Sequence, residues 1–399
     1  SRNLLIMPLP AKITTGKAQA ESALQIEAAR PGDLEGLLEI ESRCFRTDRL
    51  SRRSFKRWLR RTDCVFLVAR DSDGLAGYCL VILRQGTRLA RLYSLAVSPD
   101  RQGRGVARQL LQQAEIDARA TGALYLRLEV AASNTAAIAL YEHMGYAQFG
   151  RYDDYYEDHS DALRMEKCVR AYQPESGPRT LPWLAQTTPF TCGPAALMMA
   201  MAGLDDTYLP SPLEEIEIWR EATTIFMTSG HGGCHPLGLA LAAHARGFHA
   251  EVWVNAPGPL FVDGVRDENK KRVIGLVHDG FVSQCAARGI TVHYQDLDQE
   301  RLLAMFNAGA NILILISTYR LDSKKAPHWV ALSGYDEACF YVHDPELDDL
   351  GTPAGNRDDN KAPLDCQYLP IAREEFAAMS RFGGNRLRAV VAIRPRGTA

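Results

Sequence analysis

At 399 residues, 46% of them hydrophobic, the chain exceeds what one core usually supports and has the apolar share of a folded protein, so two domains are expected. A formal net charge of -2 excludes any general electrostatic argument for nucleic acid or an anionic membrane as partner. Nine cysteines without a C-x-x-C pair make a poor disulfide framework and fit a reducing cytoplasm, and no stretch approaches the roughly 18 apolar residues of a membrane span.

Residues 1–24 read as a tail with no assigned function, and SRNLLIMPLPA has neither the apolar core nor the cleavage pattern of a secretory signal. From 25 to 169, strands are expected at QIEAA, CVFLVA, GYCLVIL, LYSLAV, LYLRLEV and DALRMEK. Helices are expected at DLEGLLEIESRCF, GVARQLLQQAEIDARA and TAAIALYEHMG, giving a compact α/β domain. The prolines of AYQPESGPRTLP interrupt every periodicity and mark a linker over 170–182. Residues 183–399 then read as α+β. Helices are expected at CGPAALMMAM, EEIEIWREA, PLGLALAAHAR and RLLAMFNAG, and consecutive strands at NILILIS, HWVALSGYD and CFYVHDP. No internal repeat or low-complexity tract interrupts either half.

The first chemical signal is LYSLAVSPDRQGRGVARQLLQQAE, an apolar strand, a turn, a glycine-bearing loop and a long amphipathic helix. Gly103 and Gly105 allow the main chain to approach a ligand, and the unpaired amides at the helix start favour a pyrophosphate. A plain capping turn is the bland alternative, and no Lys-Ser/Thr follows as a P-loop would require. Gln102, Gly105 and Ala107 form Q-x-x-G-x-A, and LRLEVAASNTAAIALYEHMGY follows with Asn134, Tyr141 and Gly145 in order. In these motifs residues 25–168 resemble the GNAT N-acetyltransferases, and among them the ribosomal-protein N-terminal acetyltransferases.

That resemblance implies a mixed central sheet flanked by helices and acetyl-CoA as cofactor. It assigns the pantetheine arm to the amides of Leu95 and Val97, and the rest of the cofactor to Gln102, Gly103, Arg104, Gly105, Val106, Ala107 and Asn134. Amide formation needs a base for the attacking amine and an acid for the departing thiolate. The resemblance implies Glu129 as base, directly or through water, and Tyr141 as acid; an exposed strand carboxylate and a half-buried helix aromatic are the plain readings. The implied acceptor is a peptide or protein N-terminus or another amine. CFRTDRLSRRSFKRWLRR replaces the family's Pro-Trp loop; its nine basic residues from Arg43 to Arg61 face one acid, Asp48, and suit an acidic acceptor or a solvated helix face. RYDDYYEDHSD, with Tyr152, Tyr155 and Tyr156, resembles the aromatic segment lining the family's amine pocket, or is a packed hairpin.

The second signal is QTTPFTCGPAALMMAM. Cys192 stands where an irregular segment gives way to a helix, whose positive end favours thiolate over thiol, although an isolated cysteine is more often a small buried hydrophobe. Gln186 can set a side-chain amide beside the Cys192 N–H as an oxyanion hole. His328 opens one strand and Asp344 closes the next, so an imidazole and a carboxylate can meet across adjacent antiparallel strands. Asp336 and His343 are rival orienting groups, but Asp336 lies in the expected turn and His343 points to the face opposite Asp344.

The order Gln186, Cys192, His328, Asp344 resembles papain-like cysteine peptidases. From Leu181 to Pro345 it is most similar to the domains of bacteriocin exporters that process double-glycine leaders. This implies a papain-like α+β fold and a peptide substrate. No transporter segments accompany the domain, so export-coupled cleavage does not follow, and acyl transfer or peptide binding are other uses of such a site. His231, Cys234 and His235 in HGGCHP lack the spacing of a zinc site; no metal is expected, and the segment reads as a substrate-side loop before a helix. The sum is a bifunctional enzyme, with a peptide-binding or acyl-transferring C-terminal module as the alternative.

Overall fold

The computed structural model describes residues 24–156, 158–170, 180–227, 231–322, 326–347 and 363–396. The expected tail, apart from Leu24, and most of the expected linker lie outside them. The chain divides into two compact units, Ser1–Gln173 and Pro174–Ala399.

In the first unit the strands are β1 (Gln25–Ala28), β2 (Cys64–Asp71), β3 (Gly74–Leu83), β4 (Leu89–Val97), β5 (Tyr125–Ala131), β6 (Ala147–Tyr152) and β7 (Ala162–Cys168). They form one sheet in the order β1-β2-β3-β4-β5-β7-β6, with β4 and β5 parallel and the other neighbours antiparallel. Alternation along β2 sends Val65, Leu67 and Ala69 to one face, and Phe66 and Val68 to the other. Helices α3 (Val106–Ala120) and α4 (Thr135–His143) pack on the first face, and α1 (Leu34–Cys44) and α2 (Arg52–Trp58) on the second. The expected strands and helices are present, and α2 and β6 join them. In α2 the only large apolar side chains that turn inward are Phe55 and Trp58, set among basic residues, which leaves little periodic signal; Ser51 caps the helix by accepting from Ser54 N at 3.1 Å.

The register of β4 builds the opening for a ligand. Leu80 pairs with Ser94 and Val81 with Leu92, so Tyr93 is an extra residue in β4. β4 pairs with β5 only from Leu89–Tyr125 to Arg91–Arg127, after which the two strands part.

In the second unit the strands are β8 (Phe248–Val254), β9 (Thr291–His293), β10 (Asn311–Ser317), β11 (Pro327–Tyr335), β12 (Cys339–His343), β13 (Leu369–Ala372) and β14 (Ala389–Pro395). Their order is β13-β12-β11-β10-β14-β8-β9, antiparallel except for the β8–β9 pair, so this too is a mixed sheet. The helices that frame the site are α5 (Cys192–Ala202), α6 (Pro212–Ala222), α7 (Pro236–Ala245) and α8 (Glu268–Ala287). α5 is apolar around its whole circumference because it is buried against β10, β11, α6 and α7. The sequence reading does not anticipate α8. Its buried stripe is the narrow Ile274, His278, Phe281, Cys285 series, while Leu276 points outward.

Candidate functional sites

In the first unit, Gly103 (φ 77°) and Gly105 (φ 79°) take left-handed conformations that bring the loop into the start of α3. The first N–H groups of a helix have no intrahelical acceptor, and Val106, Ala107 and Arg108 hold those positions. They border a cavity of about 500 Å³, which Gln102, Gly103 and Gly105 also line and α4 closes through Ala136, Ala139, Leu140 and His143. Gln102 Nε2 donates to the Val97 carbonyl at 3.2 Å, tying the loop to the end of β4. Arg104 is exposed in the same loop.

Ser98 N donates to Ala76 O at 2.8 Å, so alternation along the antiparallel pair directs the amides of Leu95 and Val97 away from β3, toward the gap beside β5. Asn134 caps α4, its Oδ1 accepting from Ala137 N at 3.2 Å, while its Nδ2 is buried without a partner among the described residues.

Glu129 is buried on β5 and engaged on both oxygens. Arg91 Nη2 donates to Oε1 at 3.1 Å and to Oε2 at 2.9 Å, Arg91 Nε donates to Oε2 at 3.2 Å, and Tyr155 OH donates to Oε1 at 2.7 Å. The sequence reading misses Arg91; its signal is one guanidinium in the wholly buried strand LARLYSLAV, which demands a buried anion. Tyr141 is fully buried on α4, stacked edge-on against Tyr146, with no partner for its hydroxyl among the described residues; burial raises its pKa far above the ordinary phenol range. Tyr156 is likewise buried with no partner for its hydroxyl among the described residues, and burial, then the Glu129 charge, raises its pKa. Tyr152 stacks on Tyr155, so the RYDDYYEDHSD segment reaches Glu129 directly. The basic run is partly neutralised: Arg43 pairs with Asp100, Arg52 with Glu35 and Arg61 with Asp63.

In the second unit a turn closed by Thr188 N donating to Thr191 Oγ1 (3.2 Å) delivers Cys192 to the first position of α5, where the side chain is nearly buried. β11 carries His328, and Asp344 follows the last residue of β12; His328 Nε2 and Asp344 Oδ1 lie 2.7 Å apart. Burial opposes a charged imidazole, but the Asp344 carboxylate and then the Cys192 side chain outweigh it and hold His328 well above the usual histidine range. Asp344 is itself fixed: Oδ1 accepts from Glu346 N at 2.9 Å, and its carbonyl accepts from Trp183 Nε1 at 2.8 Å. Gln186 N donates to Pro345 O at 2.8 Å, which fixes its backbone next to this turn; its buried Oε1 has no partner among the described residues.

The rival groups face elsewhere. Asp336 accepts from Ala338 N and Cys339 N, both at 2.8 Å, within its turn, and His343 Nε2 lies 2.9 Å from the Leu181 carbonyl. Cys192 and His328 line a cavity of about 650 Å³. His231, in its wall, packs on Phe190; Cys234 lies behind Gly193, where an added Cβ would be 2.9 Å from Cys234 Cβ; His235 is bonded to His278 at 3.0 Å and caps α7. Burial pushes the His235 imidazole down to about 3. The three side chains of HGGCHP thus serve three different environments, and no group of three metal-ligating residues occurs among the described residues.

The raised His328 gives a pH prediction. Without the Asp344 charge the imidazolium is less favoured, so Asp344→Asn is expected to move the alkaline limb of Cys192 alkylation by iodoacetamide to lower pH, by roughly one to three units. The rate–pH profile of the two proteins checks this, and coincident alkaline limbs would remove Asp344 from the pair.

A model described as the acetyltransferase (GNAT) family matches residues 34–146, and one described as a peptidase C39-like family matches 181–394, more than half of the chain. An uncharacterized N-acetyltransferase of Methanocaldococcus jannaschii is 32% identical over 34% of this chain and 85% of its own length. The chain belongs to both families. The [ribosomal protein bS18]-alanine N-acetyltransferase of Salmonella typhimurium is 39% identical over 23% of this GNAT and peptidase C39-like chain, which spans 64% of that relative's length. A crystal structure of the ribosomal-protein-S18-alanine N-acetyltransferase from Escherichia coli is 27% identical, with 38% of this chain and 98% of that one aligned at a TM-score of 0.35. No described helix is long and apolar enough to cross a membrane.

Proposed function

We propose that the protein is a bifunctional enzyme, an acetyl-CoA-dependent N-acetyltransferase on a peptide or protein amine, over residues 25–169, joined to a papain-like cysteine peptidase or amide hydrolase over 183–399. The observation that carries the reading is that each unit has its own cavity, one bordered by the start of α3 and closed by α4, the helix that carries Tyr141, the other lined by Cys192 and His328. Nine free cysteines support a reducing, cytoplasmic setting for both reactions.

In the first reaction the amides after Gly103 hold the pyrophosphate of acetyl-CoA, and those of Leu95 and Val97 align its arm in the gap between β4 and β5. The amine attacks the thioester carbonyl. Because Arg91 and Tyr155 occupy both oxygens of Glu129, the amine proton reaches this carboxylate through water. Tyr141, kept protonated by burial, donates to the departing thiolate. Tyr141→Phe is expected to lower kcat for acetyl transfer about a hundredfold while acetyl-CoA binding stays within a few-fold, as steady-state kinetics and calorimetric titration would read. An undiminished kcat would remove Tyr141 from the acid role.

In the second reaction His328 removes the Cys192 thiol proton, Asp344 orients the imidazole, and the thiolate attacks a peptide carbonyl. The Gln186 amide and the Cys192 N–H hold the oxyanion, and His328 returns the proton to the leaving amine before water releases the acyl group. The test is incubation with acetyl-CoA and a mixed peptide library, with mass spectrometry of wild type and Cys192→Ala. Acetylation in both with cleavage in the wild type alone supports two catalytic sites; acetylation without any cleavage favours a peptide-binding second domain.

A further inference from the structure

We propose that the Cys192 cavity selects a substrate with a positive charge near the bond it cuts, a peptide-borne ammonium or guanidinium group. This rests on Cys192 as the nucleophile. The cavity that holds Cys192 and His328 is also lined by two carboxylate residues on different segments, Glu346 and Asp263. Glu346 follows the His328–Asp344 pair by two residues and is locked there by its N–H to Asp344 Oδ1 at 2.9 Å, so its position is set by the catalytic turn itself. Its carboxylate has no hydrogen-bond or ion-pair partner among the described residues. The Asp263 carboxylate accepts from the side-chain amide of Asn385, a neutral donor that leaves the negative charge uncompensated.

No Lys or Arg lines this cavity among the described residues. His328 is already paired with the Asp344 carboxylate at 2.7 Å. Phe190, Phe261 and Phe382 supply apolar wall, which suits the methylene stem of a long cationic side chain and stabilises the cation over a ring face. An anionic substrate would meet two carboxylates across a half-enclosed apolar space and be disfavoured by the same charges.

The experiment measures alkylation of Cys192 in the full chain by haloacetamides carrying a quaternary ammonium, no charge or a sulfonate, each rate divided by that with glutathione. The expected result is a cation-to-anion rate ratio that falls about tenfold in Glu346→Gln together with Asp263→Asn, and by intermediate factors in each single variant. A ratio equal in wild type and all three variants overturns the charge preference. Neutral labelling of Cys192 no faster than that of the other thiols instead overturns the nucleophile on which the proposal rests, so the two failures are distinct.

Matched fluorogenic peptides then separate the sources of charge. Faster cleavage of an N-blocked lysyl or arginyl peptide than of its glutamyl counterpart supports a side-chain cation. A preference confined to peptides with a free N-terminus supports the α-ammonium, and equal cleavage of cationic and anionic peptides overturns the inference.

Discussion

Replacing Cys192 with alanine is expected to lower peptide cleavage at least about ten-thousand-fold, because a methyl group leaves His328 with no nucleophile to activate and water has no pre-aligned base of its own. On the proposed mechanism, the residual rate reflects what the Gln186 amide and the Cys192 N–H contribute by binding the oxyanion. His328→Ala should fall by a similar factor and Cys192→Ala/His328→Ala by no more than either alone, since the two act as one unit. Asp344→Asn, which keeps a side chain beside His328 Nε2 but loses the charge, should retain more. Acetyl transfer in the same preparations reports that the first unit remains folded. The measurement is kcat/KM on a cleaved peptide, and multiplicative losses in the double variant would break the triad reading.

Much of both candidate sites is legible in the residues because their elements carry local signals. LYSLAV followed by Q-x-x-G-x-A announces a strand, a glycine-bearing loop and a helix start, and the structure has Gly103 and Gly105 at positive φ there. The approach of His328 to Asp344 follows from reading HWVALSGYD and CFYVHDP as neighbouring antiparallel strands, which pair Ala331 with His343. What escapes is set by distant partners. Nothing near Arg91 in the chain indicates that its guanidinium is matched by Glu129, 38 residues on. HGGCHP reads as a substrate-side loop, and nothing in it announces that His235 is bonded through Nε2 to His278, on a helix with a narrow buried stripe. The strands β8 and β14, which pair along seven residues, lie far apart in the chain, and neither is anticipated. Short apolar runs show burial but not the partner that buries them.

Loss of Arg91 should cost the first unit heavily. The Arg91 guanidinium and the Glu129 carboxylate are 8% and 5% exposed, so the carboxylate depends on Arg91 for the solvation that burial removes. Arg91→Leu would leave Glu129 with the Tyr155 hydroxyl and little else to stabilise a buried charge, and is expected to destabilise the first unit by about 3–5 kcal/mol. For a unit of this size that lowers its melting temperature on the order of 10 °C, readable by differential scanning calorimetry as a shift of one transition. Removing both charges is a different case, since an apolar pair of similar volume avoids the desolvation cost altogether; Arg91→Leu/Glu129→Met is expected to recover most of the lost stability. That double variant also separates the proposed role of Glu129 as proton acceptor from its structural one, because a protein restored in stability but silent in acetyl transfer has lost the carboxylate's chemistry and not its part in holding the sheet. A single variant that melts within about 1 °C of wild type would mean that water already screens the pair, and the buried-charge account of β4 and β5 would fail with it.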